Sequence, residues 1–231
     1  MQMIQDDLTI GKSLDLKAEQ DKTLSSPRLK TNLILKSMFL LMDIIYGFKR
    51  TLPKFKVIEI LARYPYWAWE NGAYHWLTRA SCKKNYLTKE KVDHRLGHIE
   101  LGRKAQDNEQ WHMLILDDLI KQKGIKQGWI KFHLIPRILS LGYYYLTRLM
   151  YRVNPIWSFE MNAAFESHAE HEYMKISQEN PDYNQEPVTT AYFQYYPKQS
   201  SLADLLRRIG LDERDHMHES LRAAEIHKKI N

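Results

Sequence analysis

The chain has 231 residues, 44% of them apolar and 27% charged, with a formal charge of +6 and a pI near 9.2. That length buries most of its apolar surface around one core, and nothing in the composition forces a division. Its one cysteine, Cys82, excludes an intramolecular disulfide and any cysteine-based zinc or iron–sulfur site, and it fits a reducing compartment. With only 9 Gly and 8 Pro, and apolar residues recurring at helical rather than alternating spacing, the sequence reads as all-α. The positive balance raises nucleic acid or an anionic membrane surface as partners. No helix-turn-helix, zinc-finger or RNP-like pattern accompanies it, which argues against nucleic acid.

Residues 1–27 are rich in Asp, Lys, Gln and Ser, without an apolar pattern or the basic start and hydrophobic run of a secretion signal. They read as a mobile tail ahead of a helical domain at residues 28–231. From Leu29 to Tyr46 the chain is mostly Leu, Ile, Met and Phe, but Lys36 and Asp43 interrupt it and Lys30, Lys49 and Arg50 flank it. The apolar run is too short to span a bilayer, yet such a helix can lie in the interfacial plane. The first core helix is expected from about Phe55 to Ser81, bent at Pro65, and the next from about Asp107 to Lys121, before Gly124. Trp129 to Arg152 is again amphipathic, mixing Trp129, Phe132, Ile138 and Tyr143 to Tyr145 with Lys131, Arg137, Arg148 and Arg152. That mixture suits a membrane interface, and it suits equally a core helix with solvated edges. A third core helix follows Pro155 and stops before Pro181, residues 180–199 form a long connection, and a fourth starts near Ser201. There Ser201-x-x-Asp204 resembles a capping box.

Two of these helices carry the same pair, Glu109-x-x-His112 and Glu213-x-x-His216. Residues three apart share a helix face, so each pair offers a carboxylate and an imidazole to one point. With 15 Glu and 10 His in the chain, chance alone gives roughly 0.6 such pairs. Two further glutamates raise the signal. Glu59 lies in the nearly apolar Val57-Ile58-Glu59-Ile60-Leu61-Ala62, where a carboxylate is costly to bury unless paired or metal-bound. Glu166, Ala169, Glu170 and Tyr173 share a face of the helix after Pro155. The bland alternatives are an i, i+4 pair of Glu59 with Arg63 and a solvated charged face around Glu166. The helix order, single Glu, Glu-x-x-His, single Glu, Glu-x-x-His, is the one that a ferritin-like four-helix bundle with a di-iron core requires.

The segments Val57 to Tyr66, Asn108-Glu109-Gln110-Trp111-His112, Glu166 to Tyr173, and Asp212-Glu213-Arg214-Asp215-His216 resemble, in order, the four di-iron motifs of the alternative oxidase family, which includes the plastid terminal oxidases. The resemblance covers about residues 30–225. It implies a monotopic quinol oxidase with two non-haem irons per chain, bound to one membrane leaflet. Such an enzyme takes electrons from ubiquinol or plastoquinol to reduce dioxygen to water without pumping protons, and the family tends to dimerise. It also favours membrane docking for the two amphipathic helices.

Carried over by position, the resemblance makes Glu59, Glu109, His112, Glu166, Glu213 and His216 iron ligands and Tyr173 the redox-active tyrosine. Asn108 and Asp212 match positions that hold the ligand histidines. Lys54, Ile58, Leu61, Glu170 and Tyr192 fall near the expected quinol site. Lys54 stands where an arginine is common, Phe193 replaces a usual tryptophan, and the Glu59-to-Glu109 connection looks longer than in plant members. Asp215-x-x-His218 is a rival to Glu213-x-x-His216, but two residues rotate it some 200° away, so both cannot face the core. His168 and His171 are less favoured as extra ligands. The rival functions are a di-iron hydroxylase acting on a quinone precursor or lipid, and a non-enzymatic membrane-surface binding protein. The expected location is the cytoplasmic side of a bacterial inner membrane or a thylakoid membrane.

Overall fold

A computed structural model of the chain describes residues 8–82 and 87–230. Among them there are seven α-helices and no β-strand. The helices are α1 (Leu16–Ser25), α2 (Leu33–Tyr46), α3 (Leu52–Ser81), α4 (Lys89–Gln122), α5 (Ile135–Val153), α6 (Pro155–Glu179) and α7 (Leu202–Ile230). Contacts divide the chain into two compact units. One joins the N-terminal residues up to Leu52 with Ala163–Glu219; the other joins Pro53–Asn162 with Ser220–Asn231. Both boundaries with the later segments fall inside continuous helices, α6 and α7.

The unit built on α3, α4 and α5 has a core of Tyr66, Trp69, Ala105, Tyr151 and Phe159. Trp69 meets Tyr66 and Phe159 edge-on, with centroids 5.0 and 4.7 Å away, and donates from Nε1 to Ser158 Oγ at 2.7 Å. Edge-to-face packing with the indole N–H satisfied lets so large a side chain be fully buried. α3 and α4 approach closely at Gly102, where a Cβ would sit 2.8 Å from the backbone oxygen of Tyr66. α4 begins 18 residues before the expected Asp107, capped by Thr88 Oγ1 on Lys91 N. Its added turns bury Arg95, His98, Ile99, Gly102 and Ala105. That stripe has helical spacing but few apolar members, so hydropathy conceals it.

The other unit contains α1, α2, most of α6 and α7 up to Glu219. α6 and α7 pack closely at Gly210, where a Cβ would meet Tyr173 Cβ and Met174 Cε at 3.1 Å. Ser201 Oγ accepts from Asp204 N at 3.1 Å, the expected α7 cap. Residues 9–26, expected within a mobile tail, are instead anchored. Asp15 caps α1, Gln20 donates to Met174 O at 2.7 Å, and Thr9 N and Oγ1 reach Asp215 at 2.7 and 2.8 Å. The anchors are polar, and so give no hydrophobic pattern to read.

α6 also holds His168, stacked on Phe39 at 3.8 Å and accepting on Nδ1 from Arg28 at 2.7 Å. Burial, with help from Arg28 and Arg50 against Glu172 and Asp43, lowers its pKa to about 4. A depressed imidazole contributes stability that is complete above the unfolded value near 6.5 and is lost as pH falls towards about 4. Unfolding free energies from urea titrations across that window should fall with a slope of up to about 1.4 kcal/mol per pH unit from this group. The His168→Gln chain should show a flatter profile; an unchanged slope would refute the assignment.

α2 and α5 each present an exposed apolar face. Leu33, Leu40, Ile44 and Phe48 line one; Ile138, Leu141, Tyr145, Leu149 and Val153 line the other, extended by Trp129 and Ile130 at a π-helical turn. No helix among the described residues is long and apolar enough to cross a membrane.

Candidate metal centre

α3 and α4 run antiparallel at their close approach, so two turns from the Tyr66–Gly102 contact Glu59 comes level with Glu109. Glu59, Glu109 and His112 are all at most 1% exposed. His112 Nδ1 lies 3.1 Å from Glu59 Oε2 and 3.7 Å from Glu109 Oε2. The i, i+3 spacing puts Glu109 and His112 on one face, and the apolar neighbours Val57 and Leu61 carry Glu59 inwards. Arg63, the sequence alternative as partner of Glu59, donates to Gln110 instead.

The unit containing α6 and α7 holds a second set of the same composition. Glu166, Glu213 and His216 are buried, and His216 Nδ1 lies 3.6 Å from Glu213 Oε2. In each triad the potential ligand atoms lie within 4.8 Å of one another. Two carboxylates and one imidazole form a donor set for a divalent metal ion, and two carboxylates cancel the charge of one such ion. The structure therefore provides two buried Glu/Glu/His groups able to hold a metal.

Asp215 is not part of either. It accepts from Thr9 N, Thr9 Oγ1 and Ile10 N, the last at 3.0 Å, so α7 turns Glu213 and Asp215 to different tasks. Burial pushes its carboxyl above the usual range, and the Thr9 donors pull it back in part. His171 bonds Ser167 O and Ser26 O at 2.8 and 3.0 Å, and His168 is held by Arg28. Both are thereby committed to fixing the N-terminal segment.

Tyr173 is fully buried on α6, against Gly210 one turn before Glu213. Asp212 accepts from Tyr196 Oη at 2.5 Å and from Arg208 Nε at 3.2 Å. Asn108 is half-buried, and its side-chain oxygen has no hydrogen-bond partner among the described residues. Of the expected quinol-site residues, Lys54 and Leu61 are buried, and Ile58 and Tyr192 are half-buried. Glu170 is buried and bonded to Arg214 Nε at 2.8 Å and Thr23 Oγ1 at 2.6 Å. That pairing gives it a structural task, closing α1 onto α6 and α7. Cys82 is exposed just beyond α3.

A further group of imidazoles, His94, His98 and His227, lies in the unit of α3 to α5. In the sequence they are announced only by the i, i+4 pair His94 and His98, which lies outside both Glu-x-x-His segments. No protein-family model and no curated protein matches this chain.

Proposed function

We propose that the two Glu/Glu/His triads supply the six ligands of one di-iron centre within a ferritin-like bundle of α3, α4, α6 and α7, and that the chain is a membrane-docked quinol oxidase. The observation that carries this reading is the repetition of one buried donor set, each built from a Glu-x-x-His on one helix and a single Glu on its neighbour. Four carboxylates against two divalent ions leave the set near neutral, which makes burial tolerable. When bound, the irons supply the redox chemistry that takes electrons from quinol and passes them to dioxygen.

The chain's own residues have the remaining tasks. Glu59, Glu109, Glu166 and Glu213 hold the metals through oxygen, and His112 and His216 through nitrogen. Tyr173 would be the redox-active side chain, and the close approach at Gly210 holds its Cβ against the turn before Glu213. The apolar faces of α2 and α5 enter one leaflet, with Lys36, Lys131 and Arg137 towards the head groups. Quinol then arrives from the lipid, near Lys54, Ile58 and Leu61.

The test is oxygen uptake by a membrane preparation of the full chain, supplied with ubiquinol or plastoquinol, alongside its iron content. About two irons per chain and quinol-dependent uptake without a mass gain on the quinone are expected. Iron-free protein, or a quinone heavier by one oxygen, would refute the oxidase; the latter would point to a hydroxylase.

A further inference from the structure

We propose that His94, His98 and His227 form a second metal site, distinct from the carboxylate triads, for one divalent transition-metal ion of the zinc or copper class. His94 and His98 lie one turn apart on α4, and His227 comes from the last turn of α7. Their candidate ligand nitrogens lie within 4.8 Å of one another. His94 Nε2 is 2.8 Å from His227 Nδ1. His98 is only 3% exposed, and its Nε2 has no hydrogen-bond partner among the described residues. A buried polar nitrogen without a partner is costly; a bound ion removes that cost.

The surroundings of His98 prepare that nitrogen. Its Nδ1 is 2.6 Å from the Tyr151 hydroxyl, which also accepts from Arg95 Nη1 at 2.9 Å. With Nδ1–H donating to Tyr151, the lone pair lies on Nε2, the arrangement in which metal-bound imidazoles are usually held. Burial first, then the charge of Arg95, lowers the pKa of His94 and His227 to about 4, and burial holds His98 well below the usual histidine range.

Nitrogen–metal distances near 2.0–2.1 Å in a tetrahedral site separate ligand nitrogens by about 3.3 Å. The His94–His227 pair therefore has to open by roughly half an ångström, a small side-chain rotation. Three imidazoles with no carboxylate among them disfavour magnesium and calcium, which need oxygen ligands, and suit zinc or copper. Arg95 adds positive charge beside the ion, so the fourth position takes an anion such as hydroxide or chloride. Arg95 and Tyr151 also line a cavity of about 370 Å³.

The full-length chain is titrated with Co2+ at pH 7 and followed by visible absorption, with Zn2+ as competitor. One ion per chain beyond any taken up by the carboxylate triads, carrying the intense spectrum of tetrahedral cobalt, is expected, displaced by Zn2+ and retained in Glu109→Ala. The spectrum should vanish in His98→Gln, and affinity should fall at least about tenfold in His94→Gln. His94 is only partly buried, so its replacement leaves the core filled even if His98→Gln fails to fold. No tetrahedral spectrum, an unchanged one in His94→Gln, or its loss in Glu109→Ala would each overturn the proposal.

Discussion

Glu213→Gln and Asp215→Asn, two residues apart on α7, should fail in opposite ways. Replacing Glu213 removes one negative oxygen donor from a buried triad, so on the proposed di-iron reading iron should fall from about two per chain to one or none. Quinol-dependent oxygen uptake should drop more than about a hundredfold, since loss of a direct ligand exceeds the tenfold to hundredfold cost of an outer partner. The metal-free chain should unfold at the same temperature or higher, because the substitution takes a charge out of the interior. Asp215 bonds Thr9 N, Thr9 Oγ1 and Ile10 N. An amide there keeps one acceptor and turns an N–H towards those N–H groups. Hydrogen bonds to a charged group contribute about 1.5–3 kcal/mol each, so Asp215→Asn should cost on the order of 2–4 kcal/mol while iron stays bound. Metal analysis and urea unfolding of both variants decide the matter. If Asp215→Asn loses the iron and Glu213→Gln keeps it, the assignment of the ligand pair is wrong.

Gly102→Val should be among the most destabilising single changes in the chain. The added Cβ would meet the Tyr66 carbonyl at 2.8 Å and Glu70 Cβ at 3.3 Å. The first obstacle is backbone, so relief requires α3 and α4 to part. Overpacking of this kind costs about 1–3 kcal/mol, and the branched side chain brings more atoms into the same space. Even Gly102→Ala, which gains about 1 kcal/mol of helix propensity, should come out destabilising. Gly97 is the internal control: it lies on the same helix, exposed, with nothing within 4 Å of its would-be Cβ. Gly97→Ala should therefore stabilise by roughly 0.5–1 kcal/mol. Thermal unfolding measures all three. Because Glu59 and Glu109 depend on the same helix contact two turns away, the Gly102 variants should also lose metal, whereas Gly97→Ala should not. A Gly102→Val chain as stable as the parent would refute the packing argument.

Much of the candidate centre was legible because its geometry is local. Glu109 with His112, and Glu213 with His216, share a face through i, i+3 spacing alone, and Glu59 stands out as a lone carboxylate among Val57, Ile58, Ile60 and Leu61. The sequence set Glu213 above Asp215 through the family resemblance alone, and only contact with Thr9, some two hundred positions away, shows what Asp215 does. The start of α4 was missed because its buried stripe runs through Arg95, His98 and Gly102, residues whose burial depends on Tyr151 and on a close helix approach. The surroundings of Glu170 were hidden in the same way. Its partners Thr23 and Arg214 lie on α1 and α7, and no spacing within α6 announces them.

The anchoring of the N-terminal segment bears on how the protein is made. Thr9 and Asp215 are 206 residues apart. At synthesis rates of about 5–20 residues per second, Thr9 exists for roughly ten to forty seconds before its partner does. Met174 and Arg207, which hold Gln20, also arrive late. The first stretch to leave the ribosome is thus one of the last to dock. A segment that waits in water does best with Gln20, Thr23 and Thr9 as its contacts, because hydroxyls and amides stay soluble where an apolar strap would seek other partners.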